Sequence, residues 1–128
     1  MIKYLVDTHT LLWFFNGDKR LSQTAKQILS DEQCSKFVSV ASVWELAIKS
    51  NLGKLKFPNN AKGFVKAIIE NKFKLYDVKP EHVFQLEQLE DFHKDPFDRI
   101  LMATATFEEM KFITDDENIR LYSVECVW

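Results

Sequence analysis

The stretch Ile2-Lys3-Tyr4-Leu5-Val6-Asp7-Thr8 decides the fold. Its β-rich apolar run stops abruptly at Asp7-Thr8, and the apolar residues of 11–15 then fall at helical spacing. A short strand that ends on a polar pair and feeds a helix is the first half of a strand–helix crossover. The rest of the chain repeats this alternation. The turn Asn16-Gly17-Asp18 separates the first helix from a second over 21–29, carried by Leu21, Ala25, Ile28 and Leu29. Residues 37–40 predict a second strand, and 41–52 a helix ended by Gly53 in the position of a left-handed cap. The basic loop Lys54-Leu55-Lys56-Phe57-Pro58 leads to a helix over 61–70, a strand over 73–78 and a helix starting at Pro80. After the polar loop His93-Lys94-Asp95, Pro96 suits the first position of a helix over 97–110. Strands over 112–114 and 121–124 complete the chain. Short apolar strands joined by helices require crossover connections, hence a mainly parallel five-stranded sheet covered on both faces: a three-layer α/β/α architecture.

Composition narrows the class. A chain of 128 residues with 46 % hydrophobic and 13 % aromatic content, Gly 3 and Pro 3 is sufficient for one packed domain over residues 1–128 and excludes disordered and fibrous classes. Lys+Arg 17 against Asp+Glu 19 gives a net charge of −2, so no broad basic field advertises nucleic acid. Cys34 and Cys126 are isolated thiols without CxxC spacing, no apolar run is long enough for a bilayer, and the N-terminus meets Asp7 before a signal-peptide core develops, so the expected compartment is the reducing cytoplasm, away from the membrane.

In an open parallel sheet, ligands bind outside the carboxyl ends of the strands, where loops diverge. Asp7 follows the first strand, Glu45 lies in the opening turns of the helix after the second, Asp98 opens the helix after the polar loop, and Asp116 follows the fourth strand. All four are expected on one edge. Each has an ordinary structural explanation: Asp7 as a helix N-cap, Glu45 in an i,i+4 pair with Lys49, Asp95 and Asp98 complementing a helix start, Asp116 in an acidic turn. Asp95 is assigned mainly to capping. Four independent caps meeting on one edge is the less probable arrangement, and we read them jointly as a site.

Gathered carboxylates repel one another unless a cation neutralises them, and oxygen donors suit Mg²⁺ or Mn²⁺ rather than zinc. His9, His82, His93, Cys34 and Cys126 show no zinc-ligand spacing; among them only His9, two positions from Asp7, is read as a supporting or substrate contact. Thr8, His9, Asp95, Arg99, Thr114 and Lys49 surround the four acids as supporting or substrate-binding candidates. The Thr114 hydroxyl either orients water or an acidic neighbour, or caps the strand end. Lys49, Lys54, Lys56, Lys94 and Arg99 are the cations expected to flank the edge, with Arg99 alternatively pairing with the acids. Trp13, Phe14 and Phe15 are read as core.

The blocks Tyr4-Leu5-Val6-Asp7-Thr8-His9, Ser42-Val43-Trp44-Glu45-Leu46-Ala47-Ile48-Lys49 with Leu52-Gly53-Lys54-Leu55, His93-Lys94-Asp95-Pro96-Phe97-Asp98-Arg99, Ile113-Thr114-Asp115-Asp116 and the closing residues 122–128 resemble the PIN domain, and within it the VapC-type toxins of toxin–antitoxin pairs. The resemblance implies a parallel five-stranded sheet between helices and a metal-dependent endoribonuclease using Mg²⁺ or Mn²⁺. By resemblance Asp7, Glu45, Asp98 and Asp116 are its catalytic, metal-binding quartet, RNA is the substrate, and a homodimer and a small antitoxin are the partners. The competing reading is a non-catalytic PIN-fold module that binds RNA or protein.

Overall fold

In a computed structural model describing residues 1–128, β1 (Lys3–Val6), β2 (Ser35–Ser39), β3 (Lys74–Tyr76), β4 (Lys111–Ile113) and β5 (Cys126–Val127) form one sheet in the order β3-β2-β1-β4-β5. All four neighbouring pairs are parallel. Six helices connect them: α1 (Thr8–Asn16), α2 (Gln23–Ser30), α3 (Val40–Asn51), α4 (Asn60–Glu70), α5 (Pro80–Glu87) and α6 (Pro96–Phe107).

The period-2 alternation of a strand explains the three layers. Leu5 and Phe112 point into one core with Leu101, Met102 and Ala105 of α6, whereas their chain neighbours Val6 and Ile113 point into the other, with Leu11, Leu29, Leu46, Phe64 and Ile68. Both sheet faces are therefore covered. Phe14 and Phe15 pack against the second core as expected, meeting Phe73 at ring separations of 6.0 and 6.1 Å, whereas Trp13 lies outside both cores, half-buried and edge-on against Trp128 with Arg20 over its ring.

Helix ends follow local chemistry. The Ser22 and Ser39 hydroxyls accept backbone N–H bonds at the starts of α2 and α3. Gly17 and Gly53 adopt φ of 63° and 70° just beyond α1 and α3, a conformation that costs a side-chain-bearing residue energy. His82 is a structural residue: its Nδ1 accepts from the Lys79 N–H at 3.0 Å and its Nε2 meets Glu108 at 2.7 Å, fastening α5 to α6.

The last strand is a correction. Residues 121–124 do not form it; a 3₁₀ turn (Ile119–Leu121) takes in the first of them, and the strand lies at Cys126–Val127, in register with Phe112 and Ile113. A short apolar run has no periodicity that distinguishes strand from turn. Here Leu121 is exposed, Val124 reaches the core, and Tyr122 serves another loop.

That loop, residues 88–95, joins α5 to α6 and carries His93. The Tyr122 hydroxyl accepts from the backbone N–H groups of Phe92 and His93 at 2.9 and 2.8 Å and donates to the Glu90 carbonyl at 2.7 Å. Arg99 adds bonds to the Glu90 and His93 carbonyls and a longer one, 3.3 Å, to the same hydroxyl. Tyr122→Phe removes the hub and leaves two N–H groups to find water, so we expect a loss of about 1–3 kcal/mol in denaturant unfolding, with faster amide exchange at Phe92 and His93. Unchanged exchange at both amides counts against this role.

Candidate active site

The order β3-β2-β1-β4-β5 reverses at β1: the chain leaves it toward β2 on one side and returns to β4 on the other. The crevice beyond such a switch point is where parallel sheets place ligands. Asp7 is the first residue beyond β1, and its backbone N–H donates to the Ile113 carbonyl of β4 at 3.1 Å. Although Asp7 stands at the N-cap position of α1, its side chain makes no capping bond. Instead Oδ2 accepts from the Thr114 hydroxyl at 2.8 Å, while Oδ1 is buried without any partner. Burial, opposed by the Thr114 hydrogen bond and reinforced by the charges of Glu45 and Asp116, pushes the Asp7 pKa up to about 7.

Glu45 arrives from the second turn of α3 and is 1 % exposed. Its Oε2 pairs with Lys49 Nζ at 2.5 Å, the i,i+4 contact expected from the sequence, yet Oε1 is buried with no donor. Burial works against the Lys49 charge, but its bond to Glu45 and the charges of Glu45, Asp95 and Asp98 outweigh it and raise its pKa. Lys49 is thus an internal counter-ion of the acid cluster rather than a free surface cation.

Asp98 is placed by the start of α6, where Asp95 accepts from the N–H groups of Phe97 and Asp98 at 2.8 and 3.1 Å, the capping role read from the sequence. Burial, then the charges of Asp7 and Asp95, raise the Asp98 pKa to about 7 against the opposing bond from His93. Asp116 follows β4. Its backbone N–H donates to the Thr114 hydroxyl at 3.1 Å, so this one hydroxyl ties Asp116 to Asp7. Its bonds serve both roles open to Thr114: the hydroxyl orients Asp7 and caps the strand end by accepting from the Asp116 N–H.

The expectation for Arg99 is corrected here, and the histidine at the acids is not the one read from the sequence. His9 is exposed on α1 and makes none of the site's hydrogen bonds; the histidine at the acids is His93, whose Nε2 lies 2.7 Å from Asp98 Oδ2 and 3.6 Å from Asp116 Oδ2. Arg99 neither flanks the edge as a free cation nor pairs with the acids; its guanidinium is spent on backbone carbonyls. Thr8, a supporting candidate, adjoins Asp7, whose pKa its backbone hydrogen bond lowers, and its buried hydroxyl donates to Ser42 Oγ at 2.7 Å, tying α1 to α3. Lys54, Lys56 and Lys94 are exposed and unpaired.

Four acids that sense one another's charge, two buried carboxylate oxygens lacking donors and a nearby imidazole have the chemistry to hold a divalent cation. His93, Asp98 and Asp116 already bring one donor atom each to within 4.8 Å of one another. Without a cation the repulsion destabilises the fold. Because the Asp7 and Asp98 pKa values stand near 7 in the folded chain against 3.8 for an ordinary aspartate carboxyl, the folded state holds protons that the unfolded state has released between these values. Stability in EDTA is therefore expected to fall as pH rises from about 4 to 7 and to level off above, and Asp98→Asn to flatten this slope and raise the melting temperature at pH 8. Melts that stabilise with rising pH over that window would contradict the electrostatics.

The family model of the PIN domain matches residues 4–125. No curated protein sequence matches the chain. Among solved structures, the fold is similar to VapBC2 from Rickettsia felis, bound to a DNA fragment from its promoter, with a TM-score of 0.72, 11 % identity and 98 % of each chain covered. It is also similar to DNA-bound VapBC from Salmonella typhimurium, with a TM-score of 0.72, 13 % identity and 99 % and 98 % of the two chains covered. VapC20 from Mycobacterium tuberculosis, a toxin that cleaves the sarcin-ricin loop, gives a TM-score of 0.62, 16 % identity and coverage of 92 % and 93 %. At such identities these likenesses carry the fold alone. The family model spans nearly the whole chain and agrees with a five-stranded parallel sheet whose switch point gathers acids, and the chain belongs to the PIN domain family.

Proposed function

We propose that this chain is a divalent-metal-dependent endoribonuclease and the toxin of a toxin–antitoxin pair. The observation that carries the reading is the pair of buried, unpartnered oxygens, Asp7 Oδ1 and Glu45 Oε1, at an edge where Asp98 and Asp116 also converge. Asp7, Glu45, Asp98 and Asp116 would hold Mg²⁺ or Mn²⁺. When bound, such an ion supplies Lewis acidity toward water and the phosphodiester.

The chain's own groups do the rest. Thr114 occupies Asp7 Oδ2 and Lys49 occupies Glu45 Oε2, so each carboxylate presents its other oxygen with a fixed orientation. Asp95 and the start of α6 hold Asp98, and Thr114 holds the turn of Asp116. Neither the Thr114 hydroxyl nor either thiol is arranged as a nucleophile: the hydroxyl is committed to Asp7, and burial raises both thiol pKa values, at Cys34 and Cys126. Water is the remaining attacking group. Exposed Lys54, Lys56 and Lys94 are the local cations for an RNA backbone, and with net charge −2 they hold it weakly.

An apolar groove of about 430 Å³ between α3, α5 and α6, lined by Val40, Trp44, Val78, Val83 and Phe97, supports a protein partner, since Trp44 is 61 % exposed beside it. A small antitoxin and a second copy of the chain are the partners we assign. The toxin–antitoxin assemblies among the structural neighbours support the first. No helix is long and apolar enough to cross a membrane.

The test is cleavage of a structured RNA by the purified chain. We expect product with Mg²⁺ or Mn²⁺, none in EDTA, and a fall of roughly a hundredfold or more for Asp98→Asn, the order of effect seen when one group of a preorganised site is removed. Undiminished cleavage by the variant overturns the site assignment. RNA binding without cleavage under either ion overturns the enzyme reading in favour of a binding module.

A further inference from the structure

We propose that His93 is a nitrogen ligand of the metal centre, giving this site a mixed imidazole–carboxylate donor set that takes Mn²⁺ and the later first-row divalent ions in preference to Mg²⁺. The inference rests on the reading that the acid cluster holds a divalent cation, and adds a ligand and an ion preference to it.

The donor spacing suits an octahedral shell. Adjacent donors of an octahedral ion bound at about 2.1 Å stand about 3 Å apart. His93 Nε2 lies 2.7 Å from Asp98 Oδ2 and 3.6 Å from Asp116 Oδ2, on either side of that spacing, with the three donor atoms within 4.8 Å of one another; the proton now shared between Nε2 and Asp98 must leave to solvent, the ring N–H resting on Nδ1, for Nε2 to coordinate. The His93 side chain is 16 % exposed and that of Asp98 14 %, so the nitrogen sits at the same depth as the carboxylate. Placement is not left to a loose loop. The His93 N–H donates to Tyr122 Oη at 2.8 Å and its carbonyl accepts from Arg99 at 3.2 Å, so both sides of its peptide backbone are fixed. His82 is no alternative ligand, because it is fully buried between α5 and α6 with a single carboxylate, Glu108, beside its ring.

Two further facts point to an ion rather than to a hydrogen bond alone. Asp7 Oδ1 and Glu45 Oε1 are buried acceptors without donors, which a His93–Asp98 contact does not satisfy. Lys49, the cation already inside the cluster, is spent on the other oxygen of Glu45. An imidazole beside carboxylates raises affinity for ions later in the first row, whereas Mg²⁺ favours oxygen donors and retained water.

The experiment uses the full chain, stripped with EDTA and titrated with metal alone. In pulsed electron paramagnetic resonance, Mn²⁺ bound to the wild-type chain should show coupling to a ¹⁴N nucleus; the coupling should vanish in His93→Gln and persist in His9→Gln. By calorimetry, His93→Gln should weaken Mn²⁺ and Ni²⁺ binding by roughly tenfold or more while changing Mg²⁺ binding far less. Mn²⁺ binding without nitrogen coupling in the wild type, which needs no variant to fold, overturns the proposal and leaves an all-carboxylate site. Failure of the wild-type chain to bind Mn²⁺ at all overturns both this inference and the metal reading beneath it.

Discussion

A carboxylate buried at the centre of the sheet, with one oxygen bonded and the other bare, is the constraint around which this fold is arranged. Asp7 cannot move outward: its N–H is tied to β4 and its Oδ2 is bonded to Thr114. Nor can it be relieved by a neighbouring base, because Lys49 faces Glu45 and Arg99 faces a loop. An apolar residue would fill the position more stably, and proteins retain such groups where function needs them. The switch-point topology supplies the reason: it is the one place where residues following β1, β2 and β4 meet the start of α6.

Stability and function are consequently divided in space. The two cores, built from alternate residues of the same strands, hold the sheet between its helices. The carboxyl edge subtracts from that stability through mutual repulsion, and is held in place by small polar devices: Asp95 at the start of α6, Thr114 between two acids, Tyr122 and Arg99 on the 88–95 loop. These bonds position groups that would separate if left to electrostatics. Thr8 and Ser42 act in the same way just outside the acid cluster, coupling the helix after β1 to the helix that carries Glu45.

How much of this is legible in the sequence depends on whether the signal is local. The run ending at Asp7, the Gly53 cap and the Asp95-Pro96 helix start are local, and the structure has them. The shared edge of Asp7, Glu45, Asp98 and Asp116 is legible because parallel topology sends every strand end the same way. What is not legible depends on distant partners. His93 reads as a loop residue until the Tyr122 hydroxyl, 29 positions later, fixes its backbone. Arg99 reads as a surface cation until the carbonyls of its own loop are seen around it. His9 is favoured by its proximity to Asp7 in sequence, but on a helix two residues of separation turn a side chain away from its neighbour. A strand at 121–124 fails for the same reason: register with β4, a long-range property, selects Cys126 and Val127.

The corrected roles of Arg99 and Lys49 change how a polyanion would be held. Of the five cations expected to flank the edge, both are committed to the protein itself, which leaves Lys54, Lys56 and Lys94 exposed and unpaired. Three exposed lysines on a chain of net charge −2 make few counterion-releasing contacts, so the proposed RNA complex is weak without help from the site. Help of the right sign must come from a cation held by the acids, since the same carboxylates otherwise repel phosphate. In the proposed complex binding and chemistry would be coupled through one group: a divalent ion at Asp7 and Glu45 would offset part of the carboxylate charge and give a phosphodiester a cation to meet. The metal-free chain would repel phosphate at this edge, and the bare oxygens of Asp7 and Glu45 are where a cation would weaken that repulsion.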